Sequence, residues 1–285
     1  MTKKLIINAD DLGLSLAVSR GIETAHRQGA VTSASLLVNF PAFAAGVRVA
    51  RDNPRLGVGV HLNIIRGAPT IAPEKVKPLL GGDGKFTGNF WEIGRRGKST
   101  EFLAAAAAEY RAQIEKALAA GVAIDHLDFE KHHGVWRPLY EIGRQLAAEY
   151  RVGLRVYREP LFFVWRHLSF PTAGALAASA RLWLYQRYAH RQRGAGAVNY
   201  FFGQSHIGRL DEKFMLALIA NCPVGVSELM CHPGLRDADE ETALAPLIGK
   251  TWITARRDRE LAALTARDWR AVAGEYGVAL GKFGE

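Results

Sequence analysis

Two adjacent carboxylates close the first apolar run of the chain. Leu5-Ile6-Ile7 leads directly into Asn8-Ala9-Asp10-Asp11-Leu12-Gly13. Side chains of a strand alternate between its faces, but at a strand end the backbone turns and both carboxylates can reach one cavity. Burying unpaired carboxylates is strongly unfavourable, so such a pair has a cation or a proton to hold. The chemistry this suggests is divided: one Asp binds a metal and the other moves a proton. The plain alternative is a solvated turn with Asp11 capping the helix that follows.

Further ionisable groups end other apolar runs. His61 closes Gly57-Val58-Gly59-Val60-His61-Leu62-Asn63, either as a ligand or as a satisfied core histidine. In His126-Leu127-Asp128-Phe129-Glu130-Lys131-His132-His133, an extended backbone puts His126, Asp128, Glu130 and His132 on one face. A mixed carboxylate and imidazole set suits Zn²⁺, and a carboxylate-heavy one admits Mg²⁺ or Mn²⁺. The alternative is a solvated loop whose histidines bind nothing. Near the C-terminus, Ser227-Glu228-Leu229-Met230-Cys231-His232-Pro233-Gly234 ends in a histidine before a Pro-Gly turn, placed to donate a proton, with Glu228 orienting a neighbour. Cys231 is unattractive as a nucleophile because no base is paired with it.

The elements that must carry these groups alternate between short β-branched runs and longer helical stretches, which predicts an α/β fold with a parallel sheet. Strands are expected at Lys4–Ala9, Ser33–Val38, Gly57–Asn63, Ala123–Asp128, Gly153–Tyr157, Val224–Met230 and Lys250–Thr254. Helices are expected at Leu16–Arg27, Phe43–Arg51, Thr100–Ala120, Pro138–Tyr150 and Glu212–Ala220. Polar residues gathered at so many strand ends point to one mouth-shaped site at the C-terminal ends of parallel strands. The expected organisation is one domain over residues 1–285 with two covering segments. The first, about 66–98, contains Pro69, Pro73, Pro78 and Gly81-Gly82-Asp83-Gly84 and reads as a long loop over the site. The second, about 161–205, is aromatic and basic, with Phe162, Phe163, Trp165, Arg166, Trp183, Tyr185 and Arg187.

Composition narrows the setting. At 285 residues and 48% hydrophobic, the chain can bury a sizeable core. The first strand begins almost at Met1, leaving no room for a signal peptide, and no apolar stretch reaches the ~18 residues of a membrane span. Two cysteines, Cys222 and Cys231, are too few for a disulfide framework, so a cytoplasmic protein is expected. Lys and Arg total 37 against 28 Asp and Glu, a net charge of +9. Without a nucleic-acid motif beside it, that charge favours an anionic membrane surface or plain solubility over nucleic acid.

Taken together, Asn8-Ala9-Asp10-Asp11-Leu12-Gly13, Gly59-Val60-His61-Leu62-Asn63, His126-Leu127-Asp128 with Lys131-His132, and Glu228 through Gly234 resemble the YdjC-like carbohydrate deacetylase family, which includes the hopanoid-biosynthesis HpnK-type proteins. The resemblance runs nearly end to end and takes in Gly84-Lys85-Phe86 and Arg257 with Glu260-Leu261. It implies a distorted, incomplete (β/α) barrel holding one divalent metal ion, Mg²⁺ or Zn²⁺, and hydrolysis of the N-acetyl group of an amino sugar. Carried over, Asp10 is the general base, Asp11 and His61 are metal ligands, and His232 is the general acid. Where many relatives have His-x-Asp-x-His-x-His, this chain has Glu130 in place of the usual ligand histidine. Glu130 is therefore the preferred third ligand and His132 the other choice. Asn63, Arg158 and Glu228 are the candidate substrate-binding residues. The resemblance implies a chito-oligosaccharide such as diacetylchitobiose or, in the HpnK-type case, an acetylglucosaminyl hopanoid. The charge and the aromatic-basic segment favour the lipid and peripheral membrane association. A metal-dependent phosphoesterase, a non-catalytic sugar-binding protein and a homodimer all remain open on sequence.

Overall fold

The computed structural model describes residues 2–248 and 256–285, apart from 158, 161, 162, 165, 167–172, 175, 176, 178, 179 and 181–197. Eight strands are seen in it: β1 (Lys3–Leu12), β2 (Ser33–Leu36), β3 (Gly57–Leu62), β4 (Ile124–Phe129), β5 (Gly153–Leu154), β6 (Tyr200–Phe202), β7 (Gly225–Cys231) and β8 (Val278–Leu280). Every pairing between them is parallel. The order is β5-β4-β3-β2-β1-β7-β6, with β8 against the start of β1. This is the expected parallel α/β architecture, a curled sheet that, among the described residues, is left open between β5 and β6.

The helices follow local rules. Ser15 caps α1 (Leu16–Arg27), its Oγ accepting the Val18 N–H at 3.1 Å. Then come α2 (Phe43–Asp52), α3 (Phe90–Arg96), α4 (Thr100–Ala119), α5 (Arg137–Tyr150), α6 (Glu212–Ala220), α7 (Ala238–Ile248), α8 (Arg257–Thr265) and α9 (Trp269–Glu275). Among the described residues, no helix is long and apolar enough to cross a membrane.

The two faces of the sheet differ sharply. Ile7 and Ala9 of β1, Leu36 of β2, Val58, Val60 and Leu62 of β3, and Leu127 and Phe129 of β4 belong to the main apolar core. On the other face, Ile6, Val226 and Val198 close the bottom of the half-barrel around Phe283, whose ring stacks on His126 at 4.0 Å. Above that plug the interior is polar, with Asn8, Asp10, Ser35, Asp128, Arg155 and Glu228 all buried. A polar barrel interior is stable only if its groups satisfy one another, so this layer is where function is to be sought.

The strand expected at Lys250–Thr254 lies outside the described residues. Two short strands went unforeseen: β6 sits inside the second covering segment, and β8 pairs with β1 only at Lys3–Leu5. Residues 66–98 form two 3₁₀ turns, Pro73–Lys75 and Lys77–Leu79, and then α3.

Candidate active site

The doublet at the end of β1 is delivered by a bulge. Ala9 pairs with Ala34 and Leu12 with Leu36, so Asp10 and Asp11 together oppose the single residue Ser35. Asp11 sits at φ 73°, a left-handed conformation that Asp tolerates better than most residues. The strand thus continues past the doublet, and the bulge sends both carboxylates into the interior. Lys131 and His132 also have positive φ, at 48° and 55°. Three such residues around one polar centre mark a place where the fold holds strain.

Arg155 organises the floor of the site. Its Nη2 and Nη1 grip Asp10 Oδ1 and Oδ2 at 2.6 and 2.7 Å. Nη1 also reaches Asp128 Oδ2 and Nε reaches Glu228 Oε1, both at 2.6 Å. Burial pushes the Asp10 carboxyl up, but Arg155, with His61 and His232 nearby, brings it well below the usual carboxylate range. Asp128 is held low in the same way by Arg155 and His61, against its burial. Glu228 differs: burial pushes it up to about 7 despite Arg155, and its Oε2 has no partner.

Above this floor three donor atoms converge. His61 and Asp128 are direct cross-strand partners, and Nδ1 of His61 lies 2.7 Å from Asp128 Oδ1. Its Nε2 faces Glu130 Oε2 at 2.8 Å and Asp11 Oδ1 at 3.9 Å. The remaining oxygen of Glu130 is taken by Arg66, and that of Asp11 by Arg257. Each carboxylate therefore spends one oxygen on an arginine and turns the other toward His61. Asp11, His61 and Glu130 offer ligand atoms within 4.8 Å of one another, a buried group able to bind a divalent metal. Asp10, His61 and Asp128 are as close, but Arg155 already serves as the cation there. Burial works against charge on His61, yet Asp128 and Glu130 raise its pKa well above the usual imidazole value, so without metal the ring holds a proton between them.

The fit is chemically sound. Two hard oxygens and one imidazole suit Mg²⁺ or Zn²⁺, and an imidazole bonded to a carboxylate through Nδ1 is a common metal-ligand arrangement. His132 lies apart from the group. Its Nε2 donates to Gln204 Oε1 at 2.7 Å, its Nδ1 is buried without a partner, and burial with Arg155 nearby lowers its pKa to about 4. His133 anchors Glu130 instead, donating from Nδ1 to the Glu130 carbonyl at 2.7 Å while Nε2 takes the Tyr110 hydroxyl at 2.5 Å.

His232 follows β7 on the other side of Asp10. Its backbone N–H donates to Glu260 Oε2 at 2.5 Å, and Oε1 of the same carboxylate takes the Gly208 N–H at 2.7 Å. The Pro233-Gly234 turn is wedged between α1 and α8. A Cβ on Gly234 would come within 3.0 Å of Arg257 Cδ, and one on Gly21 within 2.4 Å of the Gly234 Cα. The His232 ring is buried and its Nδ1 has no partner.

The family described as YdjC-like protein matches residues 4–274. The chain belongs to the YdjC-like family. A protein of Listeria welshimeri named carbohydrate deacetylase is 30% identical over 275 residues, covering 96% of each chain. Relatives of the same name from Listeria monocytogenes and Brevibacillus brevis are 37% and 40% identical over 53% of this chain, and those alignments span 60% and 58% of the relatives' lengths. A crystal structure from Enterococcus faecalis, provisionally described as a cellobiose-phosphate cleavage protein, superposes with a TM-score of 0.74 at 27% identity, covering 99% and 98% of the two chains.

In this YdjC-like chain, the structure gathers Asp10, Asp11, His61, Glu130, His232 and Glu228 around one centre. Asn63 is committed elsewhere: its Oδ1 accepts from the Ile65 and Arg66 N–H groups, and its Nδ2 donates to Asn39 Oδ1 and the Arg66 carbonyl. With all four hydrogen-bonding positions used, it shapes the turn that brings Arg66 to Glu130. Arg158 lies outside the described residues. Arg155 and Arg66 were not picked out as site residues from the sequence, whereas Asp128 stood in the candidate face of His126, Asp128, Glu130 and His132, and Arg257 entered only through the resemblance.

Proposed function

We propose that the protein is a metal-dependent amidohydrolase that removes the N-acetyl group from an N-acetylglucosamine-containing saccharide or glycolipid, yielding acetate and the free amine. The observation that carries this reading is the convergence of Asp11 Oδ1 and Glu130 Oε2 on His61 Nε2, beside an Asp10 that Arg155 keeps ionised. The relatives' shared name, carbohydrate deacetylase, supports it. Asp11, His61 and Glu130 hold the metal, Mg²⁺ or Zn²⁺. A divalent ion held there would supply Lewis-acid polarisation of the acetamide carbonyl and a more acidic water.

Asp10 takes the proton of the attacking water. A carboxylate held so far below its usual range is a weak base, so it serves only a water already made acidic, and Arg155 fixes its direction. His232 protonates the departing nitrogen, so that an amine leaves rather than an amide anion. Asp128 fixes the His61 tautomer, with Nδ1 donating and Nε2 left as the metal-facing lone pair. The net charge of +9 supports peripheral contact with an anionic membrane surface in a cytoplasmic setting, where a glycolipid would be met.

The test is acetate release from N-acetylglucosamine, from diacetylchitobiose and from a lipid-linked N-acetylglucosamine, with and without a chelator, alongside Asp10→Asn. Acetate appearing only with metal and intact Asp10 is the expected result. No acetate from any of them with metal-loaded protein, or phosphate release from a sugar phosphate instead, defeats the reading.

A further inference from the structure

Around the mouth of the half-barrel, three aromatic rings have a place in none of the chemistry above. Phe90 and Trp91 open α3, which follows β3, the strand that carries His61. Trp136 follows β4 and Glu130. Trp136 leaves the C-terminal end of β4, and Gly88, two residues before Phe90, donates its N–H to the Ile65 carbonyl at 2.7 Å, next to the Arg66 that holds Glu130, so the rings lie at the same end of the sheet as the site. Even a fully extended chain puts Trp136 no more than about 21 Å from Glu130.

The cluster is built rather than incidental. Ring centroids lie 5.4 Å apart for Phe90 and Trp91, 5.4 Å for Phe90 and Trp136, and 5.9 Å for Trp91 and Trp136. Trp136 packs directly on the backbone of α3, where a Cβ on Gly94 would lie 2.3 Å from its ring. Its Nε1 donates to the Phe90 carbonyl at 3.3 Å. Asn89 caps α3 by accepting the Trp91 N–H at 3.0 Å, which sets the ring's position on the first turn. Despite this support Trp91 is 53% exposed, more than any other large apolar side chain among the described residues. Isolated exposed apolar residues are ordinary, but a rigidly buttressed tryptophan at the same end of the sheet as a buried polar centre is a surface suited to a ligand.

We propose that Trp91 is the stacking platform for a second sugar ring of the substrate, the one joined to the ring that carries the N-acetyl group. The inference rests on the deacetylase reading and extends it to an oligosaccharide or a glycan-extended conjugate. A pyranose has one largely C–H face and hydroxyls around its rim. A flat indole removes that face from water while leaving the hydroxyls solvated, and its two side-chain torsions are already ordered by Phe90, Trp136 and Asn89.

The experiment compares kcat/KM for N-acetylglucosamine and for diacetylchitobiose in wild type, Trp91→Ala and Trp91→Phe, all metal-loaded. In parallel, calorimetry measures binding of both sugars to Asp10→Asn with and without Trp91→Ala. Trp91→Ala is expected to lower kcat/KM and affinity for the disaccharide by roughly tenfold and leave the monosaccharide unchanged, with Trp91→Phe recovering most of the loss. An equal loss on both sugars, or none on either, overturns the platform. If wild type releases no acetate, the deacetylase reading fails by itself, and the binding ratio on Asp10→Asn still decides the role of Trp91. A disaccharide bound no more tightly than the monosaccharide, beside an alkyl glycoside whose affinity does depend on Trp91, assigns the surface to an apolar aglycone and refutes the sugar.

Discussion

Arg155→Met is the substitution from which the structure predicts most. Methionine keeps the length and much of the apolar bulk of the arginine but removes every hydrogen bond to Asp10, Asp128 and Glu228. Arg155, Asp128 and Glu228 are 0% exposed and Asp10 is 2%, so water cannot take the place of the guanidinium. Breaking a buried pair from one side costs about 3–5 kcal/mol, a large share of the roughly 5–15 kcal/mol that holds a domain folded. The pH dependence gives the sharper test. In wild type Asp10 and Asp128 titrate below the carboxylate range, so their contribution is fully present above about pH 4 and lost only in stronger acid. Without Arg155, burial dominates and their folded pKa values rise above about 3.9. The folded state then binds more protons than the unfolded one, and stability falls as pH rises toward the raised values. Glu228, already at about 7, gives wild type some of this slope, so the quantity to compare is the difference between the proteins. Urea unfolding of the chelated proteins should show a loss of about 3–5 kcal/mol at pH 8, smaller at pH 5 by at least about 1.4 kcal/mol, one pKa unit's worth. A loss below about 1 kcal/mol at pH 8, or an equal loss at both pH values, would refute the hub role of Arg155.

Three further outcomes follow from the same geometry. Asp128→Asn leaves the three metal-facing groups in place but removes the carboxylate that orients His61, so metal affinity measured by chelator competition should fall about 10–100-fold. Glu130→Gln should weaken metal binding severely, whereas His132→Asn, a residue tolerant of its left-handed backbone, should leave metal affinity within about twofold; the reverse order would move the third ligand to His132. His232→Asn should lower kcat by about 10²–10⁴-fold with metal affinity unchanged, and a near-normal kcat would remove it as the proton donor.

Much of the candidate site was legible in the sequence because its residues lie at or near strand ends, and strand ends are written in short apolar runs followed by charged groups. Asp10-Asp11, His61 and Glu130 could be named for that reason. The doublet reaches the interior by a bulge in mid-strand rather than by a turn, a two-against-one register that no single strand records, since it exists only against β2. Asn63 and Glu228 look alike as polar residues on or after apolar strands. Only the partners separate them: a turn saturates one, and a guanidinium holds the other. The arginines were the hardest to see. Arg155 sits in no motif, the chain is rich in basic residues, and Arg155 comes to Asp10 from 145 positions away because β5 and β1 curl toward one axis. The preference for Glu130 over His132 now has a physical form. Glu130 follows directly on β4 with one oxygen on Arg66 and the other facing His61, while two left-handed residues turn the chain so that His132 faces Gln204 instead. A carboxylate at that position brings a negative charge that a histidine would not, and Arg66 is the group placed to offset it. If that is why Arg66 is there, Glu130→His should bind Zn²⁺ best when Arg66 is also replaced by an uncharged residue, since the guanidinium would then face an imidazole and a cation with no carboxylate between them.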